Sequence, residues 1–209
     1  MSAASDERHV FEVVSTRDVH VGRILALRVD EVRMPDGSVH SREVVEHLGA
    51  VAVAAVDDDG QVVLIHQYRH PLGKRLWELP AGLIDRADED PLATAKRELV
   101  EEAGVTAANW SVLVDVAPSP GFTDEVLRVY LATGLSDTAR QHMGEEEADL
   151  EVHRVPLAEA VRMTMAGEVV NAAAVSGILA AHAALSGAVR ARPADAPWLD
   201  RPTAFTDRH

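Results

Sequence analysis

Glu98, Glu101 and Glu102 are the residues of this 209-residue chain whose types and spacing most clearly imply chemistry. On a helix, separations of three and four put all three carboxylates on one face. Like charges at that spacing cost a helix a few tenths of a kcal/mol per pair. Acids in the C-terminal half of a helix also oppose its dipole. A sequence shaped only for helix stability would carry lysines there. Clustered carboxylates are instead what a hard divalent cation needs, and oxygen donors with residual water suit Mg²⁺ or Mn²⁺ and not zinc. The preceding turn Pro80-Ala81-Gly82 is placed to aim a backbone carbonyl, that of Ala81, at the same point. Arg97, one position from Glu98, is expected on a different side of the helix, within reach of Glu101 at i+4.

The helix that must carry these groups is delimited by its own sequence. Asp90 is a good N-cap and Pro91 at the first helical position loses no needed hydrogen bond. Gly104 is placed to end the helix in the left-handed conformation. The spacing therefore predicts a helix from about Pro91 to Ala103.

A second acidic cluster, Glu145-Glu146-Glu147 with Asp149 and Glu151, lies in a loop before a strand. Net charge is −14, and most of the excess falls in residues 85–102 and 145–151. Two acidic concentrations far apart in sequence suggest a shared cation site; the competing reading is two solvated charge runs. The acidity argues against a surface that neutralises nucleic-acid phosphates. There is no cysteine, which removes disulfides, thiolate metal sites and thiol nucleophiles. The ten histidines show no paired metal spacing, and none is assigned to chemistry. Residues 1–10 lack a secretory pattern. The longest apolar run, Ala172 to Leu185, is too short and too polar to span a bilayer. A cytoplasmic protein with no membrane partner is expected.

Around the helix the chain reads as mixed α/β. Residues 1–47 alternate charged with β-branched residues around the turn Met34-Pro35-Asp36-Gly37-Ser38, which predicts a short antiparallel meander. It is too thin for a core of its own and must pack on the main domain or on a second subunit. The apolar run Gly49–Val56, the turn Asp57-Asp58-Asp59-Gly60 and the run Gln61–Tyr68 predict a strand, an acidic hairpin turn and a second strand. Further strands are expected at Val112–Val116, Val126–Ala132 and Leu150–Val155, and helices at Leu157–Ala166 and Ala172–Leu185. The expected organisation is an N-terminal β-rich segment (1–47), a main domain (48–190) and an extended arm (191–209) that packs through Trp198 and Phe205. A mixed sheet with helices on both faces follows.

The stretch from Gly82 to Val105 resembles the Nudix box, G-x5-E-x7-R-E-U-x-E-E-x-G-U, where U is apolar. Every defined position from Glu89 onward fits: Glu89, Arg97-Glu98-Leu99, Glu101-Glu102 and Gly104-Val105. The one departure is the loop between Gly82 and Glu89, which is six residues long and not five. The resemblance covers roughly residues 48–185 and implies an α/β/α sandwich with a mixed sheet. It implies a hydrolase in which Ala81, Glu98 and Glu102 hold two or more Mg²⁺ ions (Mn²⁺ being the alternative), with Arg97 and Glu101 in the catalytic machinery. Within the superfamily the chain is most similar to the ADP-ribose pyrophosphatase branch. Pro120, sixteen positions past Gly104, matches a loop proline that shapes the terminal-ribose pocket there. The segment Arg42-Glu43 resembles a strand that reaches the adenine pocket of a partner subunit, which implies a homodimer. Arg69 matches an arginine near the substrate phosphates, and Glu125 is a candidate substrate ligand. In the family a mobile loop supplies the carboxylate that activates water, which makes Glu146 the expected general base and Glu147 the fallback. The implied reaction splits ADP-ribose into AMP and ribose 5-phosphate. Other nucleoside diphosphate compounds are the alternative, and a non-catalytic ADP-ribose sensor is a more distant one, since the box glutamates are intact.

Overall fold

A computed structural model describes residues 10–85, 89–140 and 149–208. Three strands open the chain, β1 (Val13–Val21), β2 (Leu25–Arg33) and β3 (Val39–His47), and they form one antiparallel sheet in that order. The expected turn is present. Gly37 takes a positive φ of 86° and its N–H donates to the Met34 carbonyl at 2.9 Å. Asp36 Oδ1 accepts from the Ser38 N–H at 3.0 Å. Every residue of β1 is exposed, so the sheet is as thin as its sequence implied. It docks on its own chain: the Val45 N–H donates to the Phe122 carbonyl at 2.7 Å, and the Asp124 N–H returns to the Val45 carbonyl at 3.1 Å.

The remaining strands are β4 (Ala50–Ala55), β5 (Gln61–Arg69), β6 (Lys74–Glu78), β7 (Ala81–Leu83), β8 (Val105–Val116), β9 (Leu127–Asp137), β10 (Glu151–Pro156) and β11 (Arg192–Pro193). The helices are α1 (Pro91–Ala103), α2 (Leu157–Met165) and α3 (Ala172–Leu185). The central sheet is mixed, in the order β11-β8-β9-β4-β7, with β4 and β9 parallel. Strand β4 sits inside it and is apolar on both sides, as a strand covered on both faces must be. Val51, Val53 and Ala55 face one core with Ala95 and Leu99 of α1. Ala52 and Ala54 face the other, with Ala160 of α2 and Ile178 of α3. The result is a helix–sheet–helix sandwich.

One expectation is corrected. The β4–turn–β5 segment is not a hairpin within one sheet: the two strands share only a bridge between Val56 and Val62. Beyond it β5 pairs with β6 and β10 in a separate three-stranded sheet. The local pattern of apolar run, Asp-Gly turn and apolar run is the same for a hairpin and for a chain that steps between sheets. Only the partners available to each strand decide which forms. Strand β8 also starts earlier than expected, directly after Gly104, because its first half, with Thr106 and Asn109, is paired along β9 and lacks apolar alternation of its own.

The tail after Arg190 packs as an extended arm. Its β11 pairs with β8. Arg128, 3% exposed, forks onto Asp115 at 2.7 Å, donates to the carbonyls of Ala196 (2.7 Å) and Pro197 (2.9 Å), and lies 4.8 Å from the Trp198 ring centroid. Phe205 is buried. No helix among the described residues is long and apolar enough to cross a membrane.

Candidate active site

Helix α1 begins and ends where its sequence dictates. Gly104 takes the left-handed conformation (φ 65°), and its N–H donates back to the carbonyl of Val100 at 3.0 Å. Asp90 occupies the N-cap position with Pro91 after it, but its side chain makes no capping bond. Glu89, just before it, accepts from the Thr94 hydroxyl at 2.9 Å, a bond between side chains that caps no backbone N–H.

Arg97 organises the acids. Its guanidinium donates to Glu101 at 3.0 Å, as the i+4 spacing required, and also to Glu98 at 2.5 Å. Two further bonds, at 3.2 and 3.1 Å, reach the two oxygens of Glu89. The expectation that Arg97 points away from Glu98 is therefore corrected: a long flexible side chain folds back across one residue when three carboxylates draw it. Five donors in a planar fork can serve three partners at once. This also settles the place of Glu89, which enters the same network despite the longer loop before it; residues 86–88 of that loop lie outside the described ones.

Glu102 faces the turn at residues 80–82, and Glu98, while held by Arg97, lies against the same turn. Glu102 is buried, and one of its oxygens accepts from the Ala81 N–H at 2.8 Å. Glu98 lies directly over Gly82: a Cβ there would sit 2.2 Å from the Glu98 carboxyl carbon. Only glycine lets the strand and the carboxylate approach so closely. Burial pushes the Glu98 carboxyl up to about 7, against the pull of Arg97 and with the help of Glu101. Burial pushes Glu102 up to about 8, opposed by the Ala81 N–H and reinforced by Glu98. Two buried carboxyls that repel one another need a proton or a cation. Their all-oxygen chemistry fits Mg²⁺ or Mn²⁺, which keep several waters and need few protein ligands. Among the described residues no three acidic or histidine side chains form a complete cage.

Ala81 and Gly82 form part of the wall of a cavity of about 490 Å³, so the two carboxylates lie just behind its lining. Arg69 and Glu78 line it from the second sheet. The Arg69 guanidinium forks onto the buried Glu78 carboxylate, at 2.9 and 2.7 Å, and Gln67 donates to the same carboxylate at 3.2 Å. Glu125 lines another side, 3.7 Å from His47 Nδ1. Arg23 and Ile24 from the β1–β2 turn, and Asn171 at the start of α3, also line it. Sequence reasoning missed Glu78, His47, Arg23 and Asn171. The one available signal was Glu78 itself, a lone acid between Trp77 and Leu79 just ahead of the 80–82 turn.

Not every expected residue joins the cavity. Arg42 and Glu43 are exposed on β3, where Arg42 donates to the Ser41 carbonyl at 2.9 Å; neither lines the cavity of its own chain. Pro120 is an exposed turn residue outside the lining. Glu146 and Glu147 lie outside the described residues.

This chain belongs to the Nudix family: residues 46–173 match the NUDIX domain. Residues 11–45 match the nucleoside diphosphate sugar hydrolase N-terminal domain. The chain is 54% identical over 200 residues to the ADP-ribose pyrophosphatase of Mycobacterium tuberculosis (strain ATCC 25618 / H37Rv), covering 96% of this chain and 97% of that protein. It is 37% identical over 161 residues to the ADP-ribose pyrophosphatase of Bacillus subtilis (strain 168), covering 77% and 86% respectively. The crystal structure of an ADP compounds hydrolase shares the fold, with a TM-score of 0.74 at 22% identity across 86% of this chain and 96% of that one. The protein is a Nudix hydrolase, a class that generally needs divalent metal ions.

Proposed function

We propose that this enzyme hydrolyses the pyrophosphate of ADP-ribose to AMP and ribose 5-phosphate. The observation that carries the reading is the full-length similarity to a protein of that name, together with a box helix whose Glu98 and Glu102 lie against the wall of a cavity large enough for a nucleotide. Glu98, Glu102 and the Ala81 carbonyl would hold the cations. When bound, two or more Mg²⁺ ions, or Mn²⁺, supply Lewis-acid stabilisation of charge on the diphosphate oxygens and acidify the attacking water. Arg97 and Glu101 keep Glu98 aimed at the turn. Arg69, oriented by Glu78, holds a phosphate, while Glu125 contacts the sugar end and Pro120 shapes the loop beside it. Glu146, with Glu147 as the alternative, takes the proton from the water that attacks phosphorus as the bridging P–O bond breaks. Help of that kind is worth roughly 10²–10⁴ in rate.

Arg42 and Glu43 belong to the adenosine half in this reading, and they reach it from a partner subunit, since they stand outside the cavity of their own chain. A homodimer is therefore required for full activity. A sedimentation velocity run that finds a fully active monomer would remove that part. No nucleic acid is involved, and a cytoplasmic setting fits a chain with no cysteine.

The direct test is product identification after incubation with ADP-ribose. AMP and ribose 5-phosphate should form in equal amounts with Mg²⁺ and disappear with chelator. Nucleotide sugars should run in parallel, because the N-terminal match is to a nucleoside diphosphate sugar hydrolase domain; faster hydrolysis of those would move the substrate assignment. Glu146→Gln should slow turnover by about 10²–10⁴ with substrate binding kept. If it and Glu147→Gln both turn over at the wild-type rate, the base lies elsewhere.

A further inference from the structure

The cavity is roofed on one side by Arg23 and Ile24, which belong to the turn between β1 and β2 of the thin N-terminal sheet. A sheet with one strand wholly exposed does not fix its own position. It needs anchors, and on one side the 122–124 loop provides them through Val45 and the bond from the His47 N–H to Asp124 Oδ1 at 2.9 Å.

The other side is held by the C-terminal arm, across more than 150 residues of sequence. Pro202 packs on Gly49, the junction between the sheet and the main domain: a Cβ at Gly49 would lie 2.9 Å from Pro202 Cγ. Phe205 is buried beyond it. Arg208 then bridges two strands of the sheet. Its guanidinium forks onto Asp18 of β1 at 2.8 and 3.0 Å, and its Nε donates to Glu46 of β3. Glu46 is 2% exposed and is paired on its other side with Arg28, which also grips the buried Asp30. A buried carboxylate between two guanidiniums fixes geometry tightly, because both its oxygens are used and neither can be rehydrated. Asp18 stands on the strand that leads directly into the turn bearing Arg23 and Ile24.

We infer that Arg208, at the end of this arm, is a positioning residue for substrate binding: it straps the N-terminal sheet so that Arg23 and Ile24 close one side of the cavity. The inference rests on the substrate reading above for its kinetic arm only. Arg208→Ala keeps the Arg28–Glu46 pair, so the sheet remains folded but loses its grip on the arm. KM for ADP-ribose is expected to rise about tenfold with kcat within about twofold, the pattern of lost binding and not of lost transition-state contact. Arg201→Ala, on the same arm, should behave as wild type. Asp18→Ala should reproduce the KM effect, and the double variant should add little to it.

Hydrogen exchange, measured without substrate, tests the strap independently of activity. Amides of residues 22–26 and 43–50 should exchange about tenfold faster in Arg208→Ala, with the box helix unchanged. Unchanged exchange there would overturn the proposal. So would a fall in kcat at constant KM, or faster exchange spread over the whole chain, which marks a general loss of stability. If the wild-type protein does not hydrolyse ADP-ribose, the substrate reading falls alone, and the exchange result still decides the strap.

Discussion

Glu102→Gln is expected to lower activity by about a thousandfold or more while leaving the fold intact. Glutamine has the same shape and retains an oxygen for the Ala81 N–H, so the 2.8 Å bond that ties α1 to the 80–82 turn survives. What is lost is the negative charge that would hold a cation, and with it several kcal/mol of transition-state stabilisation at about 1.4 kcal/mol per tenfold in rate. The raised carboxyls give the prediction a second readout. Burial raises the Glu98 carboxyl to about 7 and the Glu102 carboxyl to about 8, both above the usual 4.5. Between pH 4.5 and 8 the folded state therefore holds protons that the unfolded state has released, and stability falls as pH rises through that window. Adding Mg²⁺ at pH 8 should raise the melting temperature of the wild type and lower its apparent pH dependence, because the cation replaces the protons. Glu102→Gln should melt at pH 8 no lower than metal-free wild type and gain little from Mg²⁺. Thermal melts at pH 5, 6.5 and 8, with and without Mg²⁺, check this; an equal Mg²⁺ response in both proteins would remove Glu102 from the metal site.

Arg97→Met carries the largest expected cost to stability. The substitution keeps the aliphatic stem but leaves Glu89, Glu98 and Glu101, whose side chains are 14%, 12% and 10% exposed, without their shared cation. Removing one partner from a buried ionic cluster costs roughly 3–5 kcal/mol, and partial solvation puts this case near the lower end. For a chain of this size that is a fall of roughly 10 °C in melting temperature. Arg97→Lys should recover only part of it, since an ammonium cannot span three carboxylates as a planar fork does. Activity should fall a further tenfold to hundredfold at temperatures where the protein is folded, because Glu98 is no longer aimed at Gly82. A variant that melts within about 2 °C of wild type would mean that the acids find other partners, and that Arg97 does not organise the site.

The sequence by itself determined the box helix almost completely. Its start at Pro91, its end at Gly104 and the shared face of Glu98 and Glu102 all follow from spacing and capping within a few residues, which are local and do not depend on distant partners. The α2 and α3 helices and the N-terminal meander were legible for the same reason. Whatever joins residues far apart in the chain was decided by the tertiary structure alone. The turn after β4 reads as a hairpin, yet the chain steps to another sheet there because β9 and β10 supply the partners for β4 and β5. Arg97 looked committed to Glu101, but its side chain also folds back to Glu98 and reaches Glu89, eight residues before it. Glu78 and Arg69 face each other only because β5 and β6 pair, and Arg208 meets Glu46 only because the arm wraps the junction at Gly49. Spacing along the chain specifies how a helix presents its side chains. It carries no information on which distant charge will desolvate beside them, and that pairing sets the geometry of the cavity.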